Sequence, residues 1–111
     1  LTDEGYAAAH ELAIEKIKRI CQVAENEAPQ DVAIAYTPED VIRIYKQGKT
    51  VAIIGMENGY PLGKDIGNVE KFYNLGVRYI TMSHIGHNQV CDSSHRCTMG
   101  SVHSAKKSWP R

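Results

Sequence analysis

The chain has 111 residues with 13 lysines and arginines against 13 aspartates and glutamates, a formal net charge of zero and a pI near 7.1. That balance excludes the basic footprint of a nucleic-acid binder, and a hydrophobic content of 42% excludes disordered and collagen-like architectures. Apolar runs such as Val51-Ala52-Ile53-Ile54 fall far short of the roughly 20 residues that cross a bilayer, and Leu1-Thr2-Asp3-Glu4 is unlike a cationic leader; no transmembrane segment is expected and localisation stays open.

The length suits one domain with a modest core. Residues 3–27 read as one helix, because Tyr6, Ala9, Ala13, Ile17, Ile20 and Ala24 recur at three- and four-residue steps, with Thr2 or Asp3 as cap and Pro29 as stop. Val32-Ala33-Ile34-Ala35-Tyr36 reads as a short strand. Thr37-Pro38-Glu39-Asp40 places a hydroxyl at the N-cap, proline at the first helical position and acids in the first turn, so a helix is expected over about 38–47 with Gly48 as its left-handed stop. Lys49 to Met56 then reads as a strand apolar on both sides, which marks a buried parallel strand, and Glu57 stands at its carboxyl end. A third helix is expected over 65–75, with Ile66, Val69, Phe72 and Tyr73 inward and Gly76 as stop, followed by a strand over 77–82 and His84 just beyond it.

Alternating helices and strands with connections this long demand parallel strands and right-handed crossovers, so the fold class is α/β. Beyond Cys91 the periodicity vanishes, and residues 93–111 are expected to form a mobile tail behind a unit of residues 1–92.

In such folds functional groups collect at the carboxyl ends of the strands, where loops converge, and Glu57 and His84 both stand there. A carboxylate on an apolar strand face is costly unless a cation pairs with it, which points to a metal or to an Arg or Lys partner; an ordinary solvated loop glutamate is the plainer alternative. His84 has its own plain alternative, a half-buried imidazole bonded to backbone, and His87 reads as a surface residue. Asn88 and Asp92 are expected to shape the adjoining loop by hydrogen bonding. The three cysteines, Cys21, Cys91 and Cys97, are an odd number and argue against a disulfide framework. Cys91, His95, Cys97 and His103 lack the paired C-x2-C spacing of a zinc site, and Gly59 to Asp65 fails as a phosphate loop because a residue is missing between its glycines and Pro61 removes an N–H.

The stretch Val51-Ala-Ile-Ile-Gly-Met-Glu57-Asn-Gly, the stretch Asn68-Val-Glu-Lys-Phe-Tyr-Asn-Leu-Gly-Val-Arg-Tyr-Ile-Thr-Met-Ser-His84 and the run Asn88-Gln-Val-Cys-Asp92-Ser together resemble the membrane (renal) dipeptidase family of the amidohydrolase superfamily. Asn58 departs from the pattern mildly, standing where glycine is common, and asparagine also tolerates left-handed turns. The motif ends at Ser94.

The resemblance implies a (β/α)8 TIM-type barrel that holds two zinc ions and hydrolyses dipeptides. Carried onto this chain, it implies that Glu57 is the carboxylate bridging the two zincs and that His84 touches the substrate carbonyl and the oxyanion formed from it. A complete barrel needs about 250 residues, and this chain holds about three strands and three helices. The family's other metal ligands have no counterpart here, so the expectation is a barrel segment carrying only the bridging ligand, inactive alone and prone to associate with itself or with the rest of a barrel. A small non-catalytic α/β binding module is the alternative reading.

Overall fold

The structure, a computed structural model, describes residues 2–93. In chain order it contains helix α1 (Asp3–Gln22), a π-helical turn (Val23–Glu27), strand β1 (Val32–Ile34), helix α2 (Pro38–Lys46), strands β2 (Thr50–Ala52) and β3 (Ile54–Glu57), a 3-10 turn (Tyr60–Leu62), helix α3 (Gly67–Asn74) and strand β4 (Val77–Thr81). The expected tail lies outside the described residues, apart from Ser93. No described helix is long and apolar enough to cross a membrane.

Thr2 caps α1, its hydroxyl accepting from the Gly5 N–H at 3.2 Å. The helix expected to run to residue 27 loses its α pattern after Gln22: the Ala28 N–H reaches back five residues to the Val23 carbonyl at 2.8 Å, and Arg19 grips the Glu27 carboxylate across this wider turn. That guanidinium holds the Glu27 carboxyl below its ordinary range.

The start of α2 closes as a reciprocal box. The Asp40 N–H donates to Thr37 Oγ1 at 3.2 Å, while Asp40 Oδ2 accepts from the Thr37 and Tyr36 N–H groups at 3.1 and 3.0 Å. The Arg43 hydrogen bond first, and these backbone donors after it, lower the Asp40 pKa from its ordinary value. Ile44, one turn further along α2, is fully buried, and Gly48 stops the helix at φ +74°.

All strand pairs are parallel. The apolar run 50–57 serves two partners in succession: Thr50, Val51 and Ala52 pair with Val32, Ala33 and Ile34, whereas Ile54 to Glu57 pair with β4 from Val77 to Thr81. Ile53 belongs to neither ladder, so the expected single strand is two short ones. A bulge at Ile54/Gly55 sets Arg78 outside the register.

Nor is this run buried on both sides. Ile54 and Met56 are buried, while Gly55 and Glu57 face out and Ile53 is 49% exposed. Helices cover only one side of the strands, so the two-period alternation reappears in the burial. On the covered side Ile17, Ala24, Ile34, Ile54, Met56, Leu62, Phe72 and Val77 form one contiguous core. Of the four residues expected inward from the third helix, Phe72 alone is buried; Ile66, Val69 and Tyr73 are exposed, because α3 begins only at Gly67 and presents a single narrow stripe to the core.

Candidate functional site

The register between β3 and β4 sets Glu57 opposite Thr81. The chain beyond Thr81 bends back and brings His84 beside Glu57, with His84 Nε2 at 3.5 Å from Glu57 Oε1. Both side chains are open to solvent, at 57% for His84 and 69% for Glu57. That exposure removes the desolvation cost expected of a carboxylate on an apolar face. Among the described residues no lysine or arginine pairs with Glu57, and the His84 imidazole is the basic group that approaches it. The carboxylate can accept from or ligate a cation, and the imidazole can donate through Nε2 or ligate through it.

The two loops behind this pair are fastened together. Asn58 adopts φ +77°, the left-handed region asparagine tolerates, and the following Gly59 N–H donates to the Met82 carbonyl at 3.2 Å. The Asn88 side chain is 1% exposed. Its amide nitrogen donates to Asn58 Oδ1 and to the Met82 carbonyl, both at 2.6 Å, and its Oδ1 accepts from the Val90 and Cys91 N–H groups at 2.8 and 3.0 Å. Gln89 Nε2 donates to the Gly59 carbonyl at 2.7 Å, and Ser93 Oγ donates to the carbonyl of His84 itself. Asn88 and Asp92 thus do shape this loop by hydrogen bonding, Asp92 through its carbonyl, which accepts from Ser83 Oγ at 3.3 Å.

His87 is a partly exposed loop residue whose Nδ1 lies 3.0 Å from the Ser93 nitrogen and 3.3 Å from Asp92 Oδ1. His95, Cys97 and His103 lie outside the described residues. Among the described residues no group of three or more His, Cys, Asp or Glu side chains could hold a metal ion. Burial pushes the half-buried Cys21 thiol up, the opposite of what an activated nucleophile needs.

Two positions were not singled out by sequence patterning. Arg78, freed by the bulge, lies between the rings of Tyr36 and Tyr73, 5.1 and 4.3 Å from their centroids, and donates to the carbonyls of Tyr36, Tyr73 and Val77 at 2.8 to 2.9 Å. It joins the end of β1 to α3 and β4. His10 packs edge-on to Phe72 at 5.1 Å, with Nδ1 2.8 Å from the Pro61 carbonyl and Nε2 2.7 Å from Lys71 Nζ, and so ties α1 to the turn that follows Glu57. Nothing in spacing marks either residue, because their partners are carbonyls and rings brought near only by folding.

Residues 2–108 match the family described as membrane dipeptidase, peptidase family M19, so the match continues past Ser94. Dipeptidase ataJ of Aspergillus terreus is 28% identical over 93 residues, covering 84% of this chain and 22% of that protein. Dipeptidase tcpJ of Claviceps purpurea is 36% identical over 61 residues, covering 55% of this chain and 14% of that protein. The crystal structure of the probable dipeptidase PvdM from Pseudomonas aeruginosa superposes with a TM-score of 0.67 at 37% identity, over 70% of this chain and 19% of that one. The chain therefore spans 14 to 22% of the length of these curated relatives. Its α/β architecture is that of part of a TIM-type barrel, and the chain belongs to the membrane dipeptidase family.

Proposed function

We propose that this chain is a segment of a zinc-dependent dipeptidase, and that it contributes Glu57 and His84 to a site completed by residues outside it. The observation that carries the reading is the 3.5 Å approach of His84 Nε2 to Glu57 Oε1 at adjoining strand ends. Family membership supports a dipeptide as the substrate.

The donor set fits a contribution to a metal centre and not a whole one. Glu57 is an exposed carboxylate with no guanidinium or ammonium group on it among the described residues, as a bridging ligand requires, and no third donor stands nearby. Two zinc ions, when bound, would supply Lewis-acid polarisation of the scissile carbonyl. The chain's own residues then have separate tasks: Glu57 holds cations through its oxygens, and His84 donates a hydrogen bond from its imidazole to the oxygen on which negative charge develops. With one ligand of a larger set, the chain alone is inactive.

The strand face opposite the core bears the exposed side chains of Ile53 and Tyr79, 49 and 59% accessible, so the segment associates with itself or with the remainder of a barrel. Light scattering reads that association directly.

The test of function is a chimera in which residues 2–93 replace the corresponding segment of PvdM. The expected result is dipeptide hydrolysis that Glu57→Gln abolishes and that His84→Ala lowers by about 10²–10³ in kcat. Unchanged turnover in Glu57→Gln refutes the reading, as does dipeptide hydrolysis by the isolated chain with zinc at a rate near that of an intact relative.

A further inference from the structure

We propose that Asn88 is a positioning residue that sets the separation of Glu57 and His84, an inference that rests on the working-pair reading above. Neither of those side chains is held by burial. Glu57 and His84 are both more than half exposed; Glu57 is the last paired residue of β3, opposite Thr81, and His84 lies three residues beyond that pair, outside the ladder. What stands behind them is a fully buried amide with all of its hydrogen-bonding capacity engaged. One nitrogen donates to Asn58, the residue after Glu57, and to the carbonyl of Met82, two residues before His84.

The oxygen of the same amide accepts from Val90 and Cys91 and so fixes the turn from which it projects. The two halves of the amide therefore have different tasks: the oxygen builds a local turn, and the nitrogen spans from the loop after β3 to the loop after β4. At 1% exposure the nitrogen has no water to replace either acceptor, so losing it removes both side-chain ties at once and leaves the Gly59 to Met82 backbone bond to join the loops. The left-handed Asn58 presents its Oδ1 to this donor while Gly59 bonds to the same Met82 carbonyl, which doubles the tie at one point.

Substitutions separate the halves. Asn88→Asp keeps the acceptor for Val90 and Cys91 and removes the donor; Asn58→Gly keeps the backbone free to hold φ +77° and removes one acceptor; Asn58→Asp keeps that acceptor. In NMR spectra of the 111-residue chain, the wild type shows a cross-peak between the Glu57 methylene and the His84 ring. In Asn88→Asp that cross-peak loses most of its intensity and the Gly59 amide exchanges about tenfold faster or more, while the Val90 and Cys91 amides keep their protection. Asn58→Gly shows a smaller loss and Asn58→Asp none, which keeps the test open should Asn88→Asp fail to fold. A cross-peak absent from the wild type, or retained in both Asn88→Asp and Asn58→Gly, overturns the proposal. In the chimera, Asn88→Asp lowers kcat with little change in KM. Failure of the dipeptidase reading appears as an active Glu57→Gln chimera and leaves the spectra untouched, so the two failures are distinguishable.

Discussion

The two faces of the same short strands have opposite fates. On one side Ile54 and Met56 of β3 and Val77 of β4 are buried with Phe72 and Ile17 from the helices. On the other, Tyr79 lies across Gly55, so closely that a Cβ at position 55 would meet the ring at 2.0 Å, and both Tyr79 and Ile53 remain largely open. One face is finished within the chain, and the other carries the candidate site and is not. The buried core therefore lies on the helix-covered face, and the candidate site on the open one.

Truncation at the two faces breaks or sharpens this contrast. Phe72→Ala, a fully buried ring, is expected to cost about 3–5 kcal/mol, enough to unfold a small domain of ordinary stability, as read by urea denaturation. Arg78→Met removes three hydrogen bonds to carbonyls and two ring contacts and is expected to cost about 2 kcal/mol, with Arg78→Lys recovering less than half because an ammonium cannot reach all three carbonyls from between the rings. Thr37→Ala opens the box at the start of α2 and costs about 1 kcal/mol in the same assay. Tyr79→Ala on the open face stays within about 0.5 kcal/mol while reducing association in light scattering. Equal costs for Phe72→Ala and Tyr79→Ala would end the distinction.

The box also carries a pH dependence. Its Asp40 has a folded pKa below the ordinary 3.8, so its contribution is present above that value and is lost as pH falls through the lower folded one. Thermal unfolding between pH 5 and pH 2 reads this, and Asp40→Asn flattens that part of the profile.

Much of the architecture was legible because it rests on local rules. Thr37, Pro38 and Asp40 announce a helix start by chemistry complete within four residues, and the φ of Gly48 follows from its place after the last helical turn. The placement of Glu57 and His84 at strand ends could be read from the order of elements, and their family motif from the residues around them. The split of 50–57 into two strands could not, since it depends on which neighbour each half meets, nor could the exposure of Ile53, Val69 and Tyr73, since an apolar residue declares a preference and not the presence of a cover. Asn88 was legible as a loop former; that its amide nitrogen reaches Asn58, thirty residues earlier, was not.

Sequence alone determined the α/β class, the helix boundaries with explicit caps and the two residues at the strand tips, because capping, periodicity and chain order act over short range. Tertiary structure alone decided the 3.5 Å meeting of Glu57 with His84, the clasp at Asn88 and the guanidinium seat between Tyr36 and Tyr73. Each of these joins groups distant along the chain through backbone carbonyls, rings or a loop that doubles back, and only parallel strand register, a long-range quantity, fixes where those partners come to rest.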